Sequence, residues 1–296
     1  VGNGAAELIK SLMGYLPGTI GVTYPTFEEY PNRLAPERIV KFNPGNKDFS
    51  YTSEDLKRYF EAHPVDNLLL VNPDNPSGNF IRRRDIESLA DWASTRGMRL
   101  IVDESFVDFA DEAENETLLH NDILEAYPSL CVIKSISKSY GVPGLRLGIL
   151  ATSDKALTSS MRKDVAIWNI NSFAEFYMQI FGKYEKDYFR SCIKFREERA
   201  LFKKELDEIP FLRVIPSAAN YFLCEVYPPF TSYDLTLNLL TKYNILIKDC
   251  SSKKGFPKER QYVRIAIRNR EDNMILANAL KNELIQMGSV NQDENL

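Results

Sequence analysis

The first half of the chain alternates short apolar, β-branched runs with polar segments of helical periodicity. Up to about residue 155, six runs have the composition of strands: IGVTY, RIVKF, NLLLV, RLIVDE, LCVIKSI and RLGILAT. Segments such as SEDLKRYFEA and RRRDIESLADWASTR lie between them and have the pattern of amphipathic helices. This alternation predicts an α/β fold in which a mainly parallel sheet is flanked by helices. Runs such as LLLV are apolar at every position, which is typical of strands buried on both faces.

The pattern changes in the second half of the chain. Long helical stretches at 155–165 and 172–208 precede the strand-like segments FLRVIPSAANYFLCEV, NILIKDC and YVRIAIR, and an amphipathic helix is predicted at 271–287. Helices followed by strands that do not alternate with them indicate a smaller α+β unit with a mixed or antiparallel sheet. We therefore predict a large domain at 1–155 and a small C-terminal domain at 156–296.

Charge and cysteine content exclude several classes of protein. The 296 residues include 37 basic and 41 acidic side chains, and no basic block marks a nucleic-acid partner. No apolar run approaches the roughly 20 residues of a membrane helix, and no signal-peptide pattern is present. The four cysteines are widely spaced and form no CxxC pair, and the chain has only two histidines that could act as further metal ligands. Neither a disulfide framework nor a metal site is therefore expected. We predict a cytoplasmic protein with no membrane or nucleic-acid partner.

Polar residues follow three of the predicted strands. NLLLV runs into NPDNPSGN, RLIV into Asp103, and LCVI into the segment SISK at 135–138. Ligands of open parallel sheets bind at the carboxyl ends of strands. We therefore expect Asn75, Asp103, Ser135, Ser137 and Lys138 to converge on one crevice.

Taken singly, each of these residues has an ordinary structural explanation. Asp103 could cap a helix, NPDNPSG could be a turn, and Lys138 could lie on the surface. Arg146 could serve a structural ion pair. Their order and their positions at strand ends favour a site, and the two cations Lys138 and Arg146 in one loop indicate an anionic ligand.

Four segments resemble the successive signatures of fold-type I pyridoxal-phosphate (PLP) enzymes, the class I/II aminotransferases: NPDNPSG, DESF, SISKSYGVPGLRLG and VRIAIRNREDN. GNGAAELI, YPTFEEY and PSAANYFL are similar to the branch that contains histidinol-phosphate aminotransferase and threonine-phosphate decarboxylase. The resemblance implies the PLP-dependent transferase fold, pyridoxal 5'-phosphate as cofactor, a small amino substrate with a 2-oxo acid, and a homodimer whose site lies at the subunit boundary.

The resemblance also assigns roles around the cofactor ring. Lys138 is implied as the Schiff-base lysine and proton shuttle, which requires an amine whose pKa is lowered by desolvation or neighbouring cations. Asp103 is implied as the carboxylate that keeps the ring nitrogen protonated. Asn75 is implied to bond the ring hydroxyl and Phe27 to stack on the ring.

The remaining roles concern the anionic groups. The cofactor phosphate would be bound by backbone amides at a helix start and by hydroxyl and guanidinium groups. The residues that supply them are Gly4, Ala5, Ala6, Ser135, Ser137 and Arg146. Arg264 is implied to hold the substrate α-carboxylate, and Arg268 on the same strand is its rival.

Two features depart from the family pattern. Phe106 stands where a tyrosine often donates to the ring hydroxyl. Val1 already lies inside the phosphate-binding motif, so the N-terminal part of the family fold is expected to be missing and the segment is expected to be a poor catalyst alone.

Several functions remain open at this point. An aminotransferase of the histidinol-phosphate type is the first expectation, and a threonine-phosphate decarboxylase is the alternative, favoured by DESFVDF and NILIKDC. Both would take an amino compound that carries a phosphate or phosphonate. A non-catalytic PLP-sensing domain is a third reading, but no helix-turn-helix segment with a basic face accompanies it. An NTPase is excluded because no GxxxxGK[ST] motif occurs.

Overall fold

The computed structural model describes residues 1–293. It describes their side chains as well, except those of residues 114 and 287–293. In chain order, the first elements are β1 (Gly2–Asn3), α1 (Ala5–Tyr15), β2 (Ile20–Thr23), β3 (Ile39–Phe42), α2 (Ser53–Ala62), β4 (Asn67–Val71), α3 (Arg83–Ser94), β5 (Arg99–Asp103), α4 (Asn121–Ala126), β6 (Leu130–Ser135), α5 (Ile136–Ser139), β7 (Leu147–Ala151) and α6 (Lys155–Asp164). They are followed by α7 (Ser172–Ile180), α8 (Glu185–Asp207), β8 (Leu212–Val214), β9 (Tyr221–Val226), α9 (Ser232–Tyr243), β10 (Lys248–Asp249), β11 (Gln261–Ala266) and α10 (Arg270–Asp293).

Within residues 1–293, the first seven strands form one sheet, here called the main sheet, in the order β1-β7-β6-β5-β4-β2-β3. Strands β2 to β6 are parallel, which confirms the predicted mainly parallel sheet. Strand β7 runs antiparallel to β6 because the connection at 136–146 is too short for the crossover that a parallel neighbour needs. Asp103 pairs in register with Val71 and Ile133, so β4 and β5 end at the same level and β6 continues to Ser135.

Both faces of the main sheet are covered by helices. Alternate residues of β4 enter different cores: Leu68 and Leu70 pack with α2 and α3, whereas Leu69 and Val71 pack with α1. This explains why NLLLV is apolar throughout. Helix α6 also joins the core beside α1, through Leu157 and other residues.

The second half forms an antiparallel sheet, here called the small sheet, in the order β10-β11-β9-β8 among the residues described. Helices α8, α9 and α10 pack on it around Phe202, Leu235 and Leu280. The helix expected at 172–208 is interrupted by a 3₁₀ turn at Phe181–Lys183, where Gly182 weakens the helical preference. The domain boundary near residue 155 stays a prediction.

No helix among residues 1–293 combines the length and apolar character that crossing a membrane requires.

Candidate active site

A cavity of about 220 Å³ opens where the carboxyl ends of β4, β5 and β6 meet the start of α1. Its walls contain nine of the residues singled out in the sequence: Ala5, Ala6, Phe27, Asn75, Asp103, Ser135, Ser137, Lys138 and Arg146. The structure therefore brings together residues that lie far apart in the chain.

Asp103 is the buried acid of this cavity, with 3% of its surface exposed. Its carboxylate accepts hydrogen bonds from the Tyr30 hydroxyl at 2.8 Å, from the Ser105 amide at 3.0 Å and from the Ser105 hydroxyl. Burial raises the pKa of Asp103, while these hydrogen bonds and the charge of Lys138 act in the opposite direction. A cationic group placed against this carboxylate would offset its desolvation.

Ser105 also joins two strand ends. Its hydroxyl donates to Asp103 and accepts a hydrogen bond from the Ser135 amide at 2.9 Å. The end of β5 and the end of β6 are thereby fixed relative to each other, next to the loop that carries Lys138.

Lys138 lies on the short helix α5, at the mouth of the cavity. Removal from water lowers the pKa of its ammonium group, and the charge of Arg264 lowers it further. Arg146 contributes in the same direction, and Asp103 opposes the shift. The Lys138 Nζ lies 5.9 Å from the centroid of the Phe106 ring. This environment favours the neutral, nucleophilic amine that the sequence analysis required.

The opposite end of the cavity is formed by the start of α1 and by Arg146. Gly4 has a φ of 85°, and a Cβ atom there would lie 2.6 Å from Arg146 Nη2, so a side chain would collide with the guanidinium. Gly148 on β7 is equally restricted, because a Cβ would lie 2.3 Å from the Ala5 nitrogen. Two glycines thus allow the helix start, β7 and Arg146 to approach closely.

Hydrogen-bond donors remain unused at this end. Helix α1 receives no side-chain cap at its first turn. In the part of the chain that the structure describes, the buried Ser137 Oγ has no hydrogen-bond partner. A buried hydroxyl without a partner is costly, and together with helix amides and Arg146 it forms a set of donors suited to a phosphate.

A second cavity, of about 460 Å³, adjoins the first and shares Phe27, Asn75, Phe106 and Lys138 with it. Arg264 lines this second cavity. We call the smaller cavity the inner cavity and the larger one the outer cavity.

Arg264 is held at the boundary between the two sheets. Its Nη1 donates to Asn75 Oδ1 at 2.7 Å, and its guanidinium lies 4.9 Å from the centroid of the Tyr221 ring. Its rival Arg268 instead forms an ion pair with Asp272 at 2.7 Å and faces a different cavity. Arg264 therefore lies in the cavity that Lys138 also lines and Arg268 does not, and the carboxylate-binding role of Arg264 stays a prediction.

Sequence reasoning did not assign a role to Tyr30, Ser105, Tyr221 or Lys253, which all line or support these cavities. Tyr30 and Tyr221 belong to the segments YPTFEEY and PSAANYFL, so the resemblance marked their neighbourhood but not their contacts. Ser105 lies in DESF. No sequence signal distinguished Lys253 from the other lysines.

A model of the family described as aminotransferase class I and II matches residues 1–280. The chain is 32% identical to the CMP-5'-(3-aminopropyl)phosphonate synthase of Streptomyces rubellomurinus over 94% of this chain and 43% of that protein. It is 30% identical to the L-serine phosphate decarboxylase of Sulfurospirillum multivorans, over 96% of this chain and 73% of that protein. It is 31% identical to the threonine-phosphate decarboxylase of Salmonella typhimurium, over 96% of this chain and 76% of that protein. The chain thus spans less than half the length of the Streptomyces synthase.

The fold is also found in solved structures. The histidinol-phosphate aminotransferase of Clostridium acetobutylicum superposes with a TM-score of 0.83 at 26% identity, over 95% of this chain and 82% of that one. Together with the family match, this confirms the predicted fold-type I architecture and the resemblance to this branch.

Pyridoxal 5'-phosphate is the cofactor of this family, and the inner cavity fits it. The buried Asp103 suits a protonated ring nitrogen, Lys138 suits an aldehyde carbon, and the unpartnered Ser137 hydroxyl suits a phosphate oxygen. Phe27 lies in the wall of the same cavity. The individual residue roles remain predictions.

Proposed function

Because the chain belongs to the aminotransferase class I and II family, we propose that it uses pyridoxal 5'-phosphate to transform an amino acid that carries a phosphate or phosphonate group. The observation that carries this proposal is the pair of adjoining cavities with Lys138 between them. The inner cavity fits the cofactor, and the outer cavity, with Arg264 in its wall, fits the substrate.

When bound, the cofactor supplies an electron sink for the bonds at the substrate α-carbon. Lys138 would hold the cofactor through its amine and would take up or return a proton at the substrate α-carbon. Asp103 would keep the proton on the ring nitrogen. Arg264 binds the α-carboxylate through its guanidinium fork.

Decarboxylation is the reaction that the comparisons favour. Two relatives that align over most of their length are named as decarboxylases of phosphorylated amino acids, and both are about 30% identical to this chain. Phe106 supports the same choice, because the segment DESFVDF that contains it resembles the decarboxylase-like members of the family. We therefore place decarboxylation of an O-phospho amino acid ahead of the transamination that the sequence analysis put first.

Transamination of the histidinol-phosphate type is the second candidate. It is favoured by the similarity to the Clostridium aminotransferase structure. The two reactions differ in which bond at the amine-bearing carbon is broken, and because histidinol phosphate has no carboxylate, Arg264 would there bind the carboxylate of the 2-oxo acid. The acceptor in this case would be a 2-oxo acid such as 2-oxoglutarate.

A product assay separates the two reactions. The purified protein, loaded with the cofactor, is incubated with O-phospho-L-serine, O-phospho-L-threonine or histidinol phosphate, with and without 2-oxoglutarate. Carbon dioxide release that does not depend on 2-oxoglutarate supports decarboxylation. Glutamate formation without carbon dioxide supports transamination, and a lack of both with every substrate contradicts the proposed function.

The same proposal includes a homodimer in the cytoplasm. Ile167 and Trp168 are 91% and 89% exposed in the single chain, and Phe173 is 79% exposed. This segment lies against the phosphate end of the site, because Asn171 Nδ2 donates to the Leu145 carbonyl at 3.0 Å. A second copy that covers this apolar surface would therefore border the site. The four cysteines are buried free thiols, which supports a reducing compartment.

A further inference from the structure

Lys253 is a cation of the outer cavity to which the sequence gave no role. It lies in the loop between β10 and β11 and lines the outer cavity together with Arg264 and Lys138. The loop is anchored by hydrogen bonds from the Lys253 amide to the Cys250 carbonyl at 3.0 Å and from the Lys254 amide to Glu28 at 3.3 Å. Lys253 is therefore held in the wall of the cavity by its backbone.

The ammonium group of Lys253 is half-buried yet unpaired. Within residues 1–293, no carboxylate lies within 4.0 Å of its Nζ and no hydrogen bond of its side chain is found. Burial lowers the pKa of this group, the charge of Glu28 opposes the shift, and Arg264 adds to it. A lysine that loses water without gaining a partner destabilises the free protein, unless a ligand supplies the missing anion.

The acidic residues nearby do not neutralise this cation. Glu29 lies in the same wall, but its carboxylate accepts a hydrogen bond from Arg33 Nε at 2.9 Å. Glu28 acts on Lys253 through its charge without forming an ion pair. Besides Lys138, the outer cavity thus contains the cations Arg264 and Lys253, and the charge of Arg264 lowers the pKa of Lys253.

A ligand with two anionic groups can neutralise both Arg264 and Lys253 in the outer cavity. In the function proposed above, Arg264 binds the α-carboxylate of an amino acid, and the amino group of that amino acid faces Lys138. A second anion on the side chain of the substrate then remains for Lys253. A lysine acts as a compact point charge and binds phosphate well without requiring a bidentate geometry.

We propose that Lys253 binds the phosphate or phosphonate group of the substrate and thereby selects phosphorylated over unmodified amino acids. This inference rests on the proposed function, because it assumes an amino acid substrate with a second anionic group.

The test measures binding by isothermal titration calorimetry on the cofactor-loaded protein. The probes are L-serine, O-phospho-L-serine, 2-amino-3-phosphonopropionate and L-aspartate, which differ in the group at the end of the side chain. The variants are Lys253→Met, the charge-preserving Lys253→Arg, and Lys254→Met as a control in the neighbouring exposed residue. Thermal unfolding of each variant shows whether the fold is retained.

In Lys253→Met we expect O-phospho-L-serine to bind about 10- to 100-fold more weakly, in line with the loss of one charged hydrogen bond. L-Serine should bind as before, Lys253→Arg should restore most of the loss, and Lys254→Met should match the wild type. A parallel loss with the phosphonate extends the role to phosphonates, and an unchanged phosphonate affinity restricts it to phosphate esters.

Two results would overturn the inference, and they are distinguishable. If the wild type binds L-serine and O-phospho-L-serine equally, the phosphorylated substrate of the proposed function is wrong. If the wild type prefers O-phospho-L-serine and Lys253→Met keeps that preference, only the role of Lys253 is wrong. A loss for L-aspartate as large as for O-phospho-L-serine would contradict the selection of phosphate.

Discussion

At the scale of single residues, the central feature is Asp103, a buried carboxylate that accepts hydrogen bonds from Tyr30 and Ser105. Asp103 is nearly inaccessible to water, and burial alone would favour its neutral form. Tyr30 and Ser105 donate hydrogen bonds that favour the charged form. Tyr30 is itself fully buried and meets Phe27 edge to face, with ring centroids 6.1 Å apart. Tyr30 therefore positions Asp103 rather than reacting itself.

Tyr30→Phe tests this positioning role. Loss of the hydroxyl removes a donor from the Asp103 carboxylate, so the pKa of Asp103 should rise further above its ordinary value. Activity depends on the charged carboxylate in our proposal, so the acid limb of the kcat profile should move to higher pH and kcat should fall about tenfold. A pH-rate profile measures both effects.

Tyr15→Phe, which alters an exposed tyrosine, is the control. A fall in kcat without a shift of the acid limb would show that Tyr30 acts only through packing.

At the scale of elements, the site depends on three strand ends and the loops that leave them. The loop at 72–79 contains Asp74, whose carboxylate accepts two hydrogen bonds from Ser77 through one oxygen. Its other oxygen is buried without a partner among the residues described. The Tyr221 hydroxyl donates to the Asp74 carbonyl at 2.7 Å and so ties this loop to the small sheet. Desolvation of the Asp74 carboxylate in its charged form therefore destabilises the loop that contains Asn75.

This cost predicts a pH dependence of stability. Burial raises the pKa of Asp74 to about 7, well above the value of about 3.9 in an unfolded chain. Between these values the folded state keeps a proton that the unfolded state has lost, so the free energy of unfolding should decrease as pH rises from 4 to 7. Asp74→Asn should reduce this decrease by on the order of 1–3 kcal/mol between pH 5 and pH 7.

Urea unfolding at both pH values gives the comparison. Glu104, whose pKa is also raised to about 7, retains its own share of the slope in this variant. An identical slope in the wild type and in Asp74→Asn would contradict the assignment.

At this scale the sequence predicted the strands of the main sheet, but not all of their directions. The apolar runs fixed β2 to β7 because buried strands need such residues. The antiparallel direction of β7 follows from the length of one loop, and the two-residue strand β1 has no hydrophobic pattern to reveal it. The 3₁₀ turn between α7 and α8 contains Gly182, and the sequence analysis treated this stretch as one continuous helix.

At the scale of the whole molecule, the site forms where the main sheet and the small sheet meet. Arg264 of the small sheet reaches Asn75 of the main sheet, and Arg199 of α8 donates to the Phe109 carbonyl at 2.7 Å. The exposed apolar residues Ile167 and Trp168 are followed by Asn171, which donates to the Leu145 carbonyl next to Arg146. In the proposed dimer, a second copy covers this surface.

Trp168→Glu tests the proposed dimer. A charge at this position should prevent burial of the apolar surface, so the variant should sediment as a monomer at micromolar concentration while the wild type sediments as a dimer. Leu246→Glu places the same charge at a 73% exposed leucine of the other half of the chain and should leave the dimer intact. Analytical ultracentrifugation measures the masses, and a monomeric wild type would refute the dimer.

The sequence by itself determined the alternating strands and helices, the family, and most residues of the inner cavity, because strand ends and loop glycines have local signatures. Only the tertiary structure revealed Tyr30, Ser105 and Lys253 as neighbours of the site. Their importance lies in distances between segments that are remote along the chain, such as the hydrogen bond from Tyr30 to Asp103. Contacts of that kind, and the loss of water that shifts the pKa of Asp103 and Lys138, are properties of the folded arrangement and leave no periodic pattern in the sequence.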